Sequence, residues 1–106
     1  MSRRISHDLI FKALADQKRR RLLDLLKDGP RTTGDLCESF DGVDRCTVMQ
    51  HLKVLEKAGL IFVRREGKFR WNYLDAVPIR DIYERWISGY ASSSVGMLKA
   101  LADGLS

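Results

Sequence analysis

The chain has few of the residues that build disulfides, metal centres and acid–base sites. It contains two cysteines, Cys37 and Cys46, and two histidines, His7 and His51. So few cysteines predict a reduced, cytoplasmic protein better than a secreted disulfide scaffold. No nucleophile elbow, phosphate loop, carboxylate cluster or Cys–His pair is present, so neither an enzyme nor a bound cofactor is expected.

Long apolar runs and low-complexity segments are also missing. No stretch approaches the length of a membrane span, and the first residues lack the apolar core of a signal peptide. Two prolines and eight glycines are too few for a disordered chain. With 44% hydrophobic and 31% charged residues, the sequence predicts a single domain over residues 1–106.

Positive charge exceeds negative charge. Lys and Arg total 19 against 14 Asp and Glu, which gives a net charge of +5. This excess favours a polyanionic partner, of which nucleic acid is the commonest. A merely basic surface is the alternative at this point.

Apolar periodicity predicts two helices in the first part of the chain. One follows His7, and the other runs from Asp16 or Gln17 to Lys27, before a glycine and a proline that end it. At least one arginine of the run 19–21 is expected to brace the fold.

The next segment predicts a helix-turn-helix. Thr32 or Thr33 can cap a short helix, and Asp44 can cap a longer one over 45–58 that Gly59 closes. A short helix, a glycine turn and a capped second helix together form this motif.

The period then changes to that of β-structure. Residues 60–65 and 69–74 read as strands joined by a turn at Glu66-Gly67-Lys68, so a hairpin is expected. A further helix follows from Pro78, with a break or kink possible within 88–94. The expected fold class is mainly α with a small β-hairpin wing, a winged helix-turn-helix of order α-α-α-α-β-β-α.

The longer helix of the motif has two contrasting faces. Val48, Leu52 and Leu55 fall on one side at 3.6 residues per turn and are expected to face the core. Arginine, glutamine and threonine on the other side can hydrogen-bond base edges in a major groove, and lysine can meet phosphates. An ordinary solvated helix face is the alternative. The predicted DNA-binding recognition helix uses Arg45, Cys46, Thr47, Met49, Gln50, His51 and Lys53.

Two segments resemble the ArsR family of transcriptional regulators. Ala13-Leu14-Ala15-Asp16, followed by the Arg19-Arg20 pair, is similar to that family's opening segment. His51-Leu52 with the later Ala58-Gly59-Leu60 is similar to its recognition helix. The resemblance covers about residues 8–103. It implies a homodimeric DNA-binding repressor that acts on an inverted-repeat operator.

His51 and the hairpin have two readings each. His51 is expected either to pack or cap within the fold, or to contact a phosphate or base. The cations Arg64, Arg65, Lys68 and Arg70 are expected to reach the minor groove or its phosphates, the alternative being a charged edge that discourages aggregation. Phe69, Trp71 and Tyr73 alternate along their strand and are expected to face the core rather than stack on bases.

The chain lacks the metal-binding motif found in metal-sensing members of the family that it resembles. Thr32-Thr33-Gly34-Asp35-Leu36 stands where metal-sensing relatives carry Cys-x-Cys-Asp-Leu, and no His or Cys follows Leu74. A metal site is therefore not expected, and the effector, if one exists, is not identified. Cys46 suggests a thiol-responsive repressor as an alternative, because a helix N-terminus and Arg45 favour a reactive thiolate.

The terminal helices carry more apolar surface than one small domain needs. A two-fold dimer would bury it and place two recognition helices about one DNA turn apart. A winged-helix module that binds protein instead of DNA is the remaining alternative. The predicted dimer interface comprises Leu9, Ile82, Tyr83, Trp86, Tyr90, Leu98 and Leu101.

Overall fold

The computed structural model describes residues 6–105, apart from the side chains of residues 92–95, 97, 98 and 105. It confirms the expected fold class, mainly helical with a β-hairpin wing. In chain order the elements are α1 (His7–Leu14), α2 (Gln17–Leu26), β1 (Arg31–Thr32), α3 (Thr33–Glu38), α4 (Arg45–Lys57), β2 (Ile61–Glu66), β3 (Phe69–Leu74), α5 (Val77–Ile82), a π-helical turn (Tyr83–Ile87) and α6 (Ser88–Leu105).

Side-chain caps begin three of the helices. Asp16 caps α2, Thr32 caps α3 and Asp44 caps α4, each accepting a hydrogen bond from a backbone N–H in the first turn. These bonds satisfy donors that a helix start otherwise leaves unpaired. The predicted starts of all three helices are therefore confirmed.

Helix α4 ends where Gly59 was expected to close it. Gly59 has a φ of +80°, and its N–H donates to the carbonyl of Glu56 over 3.0 Å. The N–H of Leu60 donates to the carbonyl of Leu55, also over 3.0 Å. This pair of bonds is a Schellman motif, which requires the left-handed conformation that glycine adopts without strain. The motif turns the chain directly into β2.

The wing contains three antiparallel strands in the order β1-β3-β2. Strands β2 and β3 form the predicted hairpin, whose two-residue turn carries Gly67 at a φ of +61°. The third strand, β1, was not predicted. Arg31 pairs with Asn72 and Thr32 pairs with Trp71, so β3 lies at the centre of the sheet. Two residues are too few to show the alternation that marks a strand in a sequence.

The expectation that Phe69, Trp71 and Tyr73 face the core is wrong. Successive side chains on a strand point to opposite faces, and the inward position of β3 is held by Asn72, which is completely buried. Phe69 is 51% exposed, and Tyr73 stacks against the exposed Phe62 on the neighbouring strand, with ring centroids 5.0 Å apart.

One hydrophobic core joins the helices to the base of the wing. It is formed by buried side chains from α1, α2, α3, α4, β2 and α5, with contributions from the connecting segments. Its buried members are Ile10, Ala13, Leu22, Leu23, Leu26, Leu36, Phe40, Val48, Leu52, Leu55, Ala58, Leu60, Ile61 and Ile82.

The irregularity expected within residues 88–94 lies one turn earlier. Tyr83–Ile87 forms the π-helical turn, and α6 then continues as α-helix from Ser88 to Leu105. The Ser88 hydroxyl donates to the Glu84 carbonyl over 3.0 Å across the end of this turn. Within residues 6–105, no helix combines the length and the apolarity needed to cross a membrane.

Candidate nucleic-acid interface

Helix α4 separates apolar and polar side chains as the sequence predicts. Val48, Leu52 and Leu55 are buried in the core. The side chains on the opposite side are exposed to solvent, apart from Met49, which is half-buried. Those exposed side chains are Arg45, Cys46, Gln50, Lys53 and Lys57. The helix thus presents a continuous polar surface on a rigidly packed support.

Thr47 is partly committed to the cap of α4. Its N–H donates to Oδ1 of Asp44 over 2.7 Å. The backbone N–H and the side chain of Thr47 both hydrogen-bond Asp44, and these bonds lower the pKa of that carboxyl below its ordinary value of 3.8. Thr47 is half-buried. Its hydroxyl is therefore less free to meet DNA than the sequence suggested.

A groove of about 520 Å³ separates the helix-turn-helix from the wing. Four cationic and two acidic side chains line it, together with polar and apolar groups. We call it the wing groove. Its lining residues are Thr32, Thr33, Gly34, Asp35, Glu38, Arg45, Met49, Arg65, Lys68, Phe69 and Arg70. The excess of positive charge makes it a suitable channel for a phosphate backbone.

The structure brings three of the four predicted wing cations into this groove. Arg65 and Arg70 are directly opposite each other in the β2–β3 register, and Lys68 follows at the turn. Arg64 instead pairs with Trp71, on the opposite face of the hairpin. Like charges placed opposite each other across two strands repel. An anion between the Arg65 and Arg70 side chains would relieve that repulsion.

Arg70 also connects the wing to α4. One of its guanidinium nitrogens lies 3.6 Å from Oε1 of Glu56, and both side chains are partly exposed. An ion pair of this kind contributes little to stability by itself. Its main effect is to orient Arg70 between the wing and the recognition helix.

Buried polar side chains hold the wing against α3, and sequence reasoning missed them. Nδ2 of Asn72 donates to Oγ1 of Thr33 over 3.1 Å and to the Arg31 carbonyl over 3.3 Å. The Thr33 hydroxyl in turn donates to the Arg70 carbonyl over 3.5 Å. We call Asn72 and Thr33 the wing clamp. An asparagine in the middle of an alternating strand was the available signal, because such a residue is costly to bury without partners.

Arg19 joins α1, α2 and α4. Its Nε donates to the Ala13 carbonyl over 2.8 Å, and its Nη2 donates to the Lys12 carbonyl over 2.9 Å. Its Nη1 lies 3.2 Å from Nδ1 of His51 on the recognition helix. A guanidinium can only donate hydrogen bonds, so Nδ1 holds the lone pair and Nε2 carries the hydrogen. This contact supports the packing reading of His51 and leaves its Nε2–H as a donor.

The other two arginines of the run also contact the fold. Arg20 donates to the Leu14 carbonyl over 2.7 Å. The guanidinium of Arg21 lies 5.4 Å from the ring centroid of Phe40, a cation–π geometry. The expectation that at least one arginine braces the fold is confirmed.

Neither cysteine forms a disulfide, and the segment where metal-sensing relatives carry their cysteine motif forms the start of α3. Cys46 is exposed and Cys37 is half-buried, and both are free thiols. Thr32, where metal-sensing relatives carry a cysteine, accepts the Asp35 N–H over 3.1 Å as the cap of α3. No group of three His, Cys, Asp or Glu side chains within the described residues could hold a metal ion.

A second surface lies on α1 and the C-terminal helices. The rings of Phe11 and Trp86 meet edge to face, with their centroids 5.6 Å apart. The ring centroids of Trp86 and Tyr90 lie 5.1 Å apart. Trp86 is 54% exposed, and Phe11, Tyr83 and Tyr90 are exposed as well. We call Phe11, Tyr83, Trp86 and Tyr90 the aromatic face. Phe11 was not among the predicted interface residues.

The predicted dimer interface needs one correction. Ile82 is only 1% exposed and belongs to the core of its own chain, so it cannot pack against a partner. Leu9 is half-buried and packs against the same core. Leu101 is exposed, whereas the side chain of Leu98 lies outside the described residues.

Comparison with known proteins places these features in context. A family model described as a helix-turn-helix domain matches residues 14–64. The transcriptional repressor SdpR of Bacillus subtilis is 38% identical over 72 residues, which cover 68% of this chain and 79% of SdpR. The arsenical resistance operon repressor of the same species is 42% identical over 66 residues, 61% of this chain and 60% of the repressor. The crystal structure of an ArsR family transcriptional regulator matches with a TM-score of 0.72 and 32% identity, covering 80% of this chain and 91% of that one.

Proposed function

Because the chain belongs to the ArsR family of helix-turn-helix transcriptional regulators, we propose that it binds an inverted-repeat operator as a homodimer and represses transcription there. It acts on the chromosome in the cytoplasm and has no catalytic role. A bound dimer would block polymerase from the promoter it covers.

The observation that carries this proposal is the excess of cationic side chains in the wing groove, to which both the recognition helix and the wing contribute. Arg45 begins the recognition helix on one side of the wing groove, and Arg65, Lys68 and Arg70 line the other side. A recognition helix seated in the major groove brings its first turn to the base edges. The wing cations then meet the neighbouring phosphates and the minor groove.

Each predicted site residue has a role in this complex. Arg45 and Gln50 read base edges, and Met49 and Cys46 contact the same groove through small or apolar surfaces. Lys53 meets a phosphate, and the Nε2–H of His51 donates to another. Thr47 contributes chiefly by fixing the start of α4. Arg64 lies on the face of the hairpin opposite Arg65 and Arg70.

The aromatic face supports the homodimer. The exposed rings of Phe11, Trp86 and Tyr90 contact one another, and Tyr83, one turn earlier in the chain, is exposed as well. Together they provide apolar surface of the kind that marks a protein interface. A two-fold axis through this surface would let each copy cover the other's rings. The net charge of the assembly would then be twice the +5 of one chain.

Selection of bound sequences from random duplexes tests the proposal. Purified protein should select an inverted repeat whose half-site centres lie about one helical turn apart, about 10 base pairs. The affinity should fall steeply with salt, because each cation that meets a phosphate releases counterions. Weak binding without sequence preference would contradict the proposal and favour a winged module whose partner is a protein.

Cys46 supports a second candidate, a thiol-responsive repressor. Its thiol is exposed on the proposed DNA surface beside Arg45. Oxidation or alkylation there would add bulk or negative charge where DNA must fit. Operator affinity before and after treatment with peroxide, with Cys46→Ser as the control, distinguishes a sensor from a passive cysteine.

A further inference from the structure

Phe69 is an exposed aromatic residue at the tip of the wing. It directly follows the turn formed by Gly67 and Lys68, and 51% of it is exposed. The other exposed aromatic of the hairpin, Phe62, stacks on Tyr73. Among the described residues no aromatic ring stacks on Phe69, and the Lys68 ammonium lies 5.5 Å from the centroid of its ring.

The tip combines this apolar ring with net positive charge, although the acidic residue Glu66 stands directly across from Phe69 in the strand register. Lys68 precedes Phe69, and both residues line the wing groove with Arg45 and Arg65. Positive charge draws the tip toward DNA, and the narrow minor groove concentrates negative potential. Once the tip is there, the ring must lie against sugars or the faces of bases, since these are the apolar surfaces DNA offers.

We propose that Phe69 is an apolar wedge that enters the minor groove and packs into a base step beside each half-site. The inference rests on the function proposed above and adds a determinant of specificity to it. Apolar side chains used in this way unstack a step partially and bend the duplex. Pyrimidine–purine steps deform most easily. The operator should therefore prefer TA or CA/TG at the position that the wing reaches, without a hydrogen bond to those bases.

The salt dependence of binding separates the ring from the charges around it. Phe69→Ala should weaken binding to the selected operator about ten-fold, the usual effect of losing one aromatic–base contact. The slope of log affinity against log salt should stay unchanged, because an apolar contact releases no counterions. Lys68→Ala should instead lower the slope by about 1. Phe69→Leu should retain most of the affinity, since leucine also serves as a wedge.

The base preference provides a second readout. Selection from random duplexes with Phe69→Ala should return the same inverted repeat without the flanking pyrimidine–purine preference. 2-Aminopurine placed at that step should brighten on binding wild-type protein and stay dim with Phe69→Ala, because its fluorescence rises on unstacking. Phe62→Ala is the matched control, as Phe62 is 45% exposed on the same sheet but away from the tip. It should keep the flanking preference.

Two results would contradict the proposed wedge while leaving the proposed operator binding intact. The first is a Phe69→Ala protein, folded by circular dichroism, that selects the same flanks with wild-type affinity. The second is a Phe69→Ala protein whose slope of log affinity against log salt falls as it does in Lys68→Ala. In either case the wild-type inverted repeat would survive. If wild-type protein selects no repeat at all, the operator-binding function itself fails and the wedge with it.

Discussion

At the scale of single residues, Arg19 links three helices, α1, α2 and α4, through one side chain. It closes the end of α1 through the Lys12 and Ala13 carbonyls and meets His51 on α4. Three acceptors around one side chain suit the several fixed donors of a guanidinium. In the proposed complex, Arg19 is therefore a positioning residue that would act through His51, whose ring it holds with Nε2–H as a donor toward DNA.

Replacing His51 tests this arrangement. His51→Ala should weaken operator binding by about two- to ten-fold, the value of one neutral hydrogen bond. The salt slope should not change, because a neutral imidazole displaces no counterion. Lys53→Ala is the comparison, and it should lower the slope by about 1. Fluorescence anisotropy at several salt concentrations measures both. A slope that falls equally in the two variants would show that His51 meets DNA as a cation.

The carboxyl of Asp16 makes the free energy of unfolding depend on pH. Burial raises the pKa of this carboxyl, but the hydrogen bonds from the Lys18 and Arg19 amides, together with the electrostatic effects of the nearby His51 and Arg19 side chains, leave the pKa below its ordinary value of 3.8. A lowered pKa in the folded state means that the stabilisation is complete above pH 3.8. It is lost as the pH falls through the folded pKa.

Asp16→Ala and Asp16→Asn are the matched variants that test how Asp16 makes stability depend on pH. Asp16→Ala should lose about 1 kcal/mol of unfolding free energy at pH 7 through loss of the cap. Asp16→Asn should lose less, because asparagine caps a helix nearly as well, although it lacks the charge that favours a helix start. Urea unfolding from pH 7 to pH 2 should show wild type converging on Asp16→Asn in acid. A constant difference between the two across this range would contradict the assignment.

Individual residues differ in how far the sequence predicts them. Val48 and Leu52 could be placed in the core because a 13-residue helix repeats its period several times. Phe69 and Asn72 could not, because a one-residue change of register exchanges the faces of a short strand. Here buried Ile61 pairs with Leu74 and fixes Asn72, two residues before Leu74, on the inward face. Aromatic character alone suggested the opposite.

At the scale of elements, the orientation of the wing depends on the wing clamp. Asn72 is completely buried, and its Nδ2 contacts both α3 and β1 through Thr33 and the Arg31 carbonyl. Its Oδ1 is buried without a hydrogen-bond partner in the described part of the chain, a costly arrangement. The clamp therefore stabilises less than its hydrogen bonds suggest, and it contributes chiefly by fixing the angle at which Arg65 and Arg70 face α4.

A double-mutant cycle on the clamp tests this view. Asn72→Ala should cost about 1–3 kcal/mol of stability, because it leaves buried partners unpaired. Thr33→Val removes only the hydroxyl. The two changes together should cost less than the sum of the single changes by about 0.5 kcal/mol or more, because the residues contact each other. Each variant should also bind the operator more weakly at temperatures where it is fully folded. Strict additivity would show that the two side chains act independently.

The elements differ in predictability for a physical reason. Helices α2 and α4 carry local start signals in Asp16 and Asp44, and α4 carries a local stop signal in Gly59, so each boundary follows from nearby residues. Strand β1 exists only because Arg31 and Thr32 meet β3, some forty residues away in the sequence. The π-helical turn at Tyr83–Ile87 likewise lacks a proline or glycine that would mark it. Contacts between distant segments are not visible in local patterns.

At the scale of the whole molecule, α1 connects the two proposed surfaces. Phe11 belongs to the aromatic face, and the next two residues, Lys12 and Ala13, give their carbonyls to Arg19. The His7 ring and the Asp81 carboxylate, 2.8 Å apart, fasten the start of α1 to α5. Dimerisation would therefore order the same helix whose end positions His51. This arrangement predicts that a monomeric variant loses affinity even for a single half-site.

Trp86→Glu and Phe62→Glu form a matched pair for testing the dimer. Trp86 and Phe62 are 54% and 45% exposed, and each substitution places a carboxylate on an exposed aromatic position. Trp86 lies in the aromatic face, where a buried charge would cost more than 2 kcal/mol at a central interface position. The dimer dissociation constant should then rise about thirty-fold or more.

Sedimentation velocity over a dilution series measures this constant. Trp86→Glu should sediment as a monomer where wild type and Phe62→Glu remain dimers. It should also bind the full operator far more weakly than wild type, because a monomer loses the second half-site as a tethered contact. A Trp86→Glu protein that stays dimeric would move the interface away from the aromatic face. A wild-type protein that is monomeric at every concentration but still selects an inverted repeat would mean that DNA itself assembles the pair.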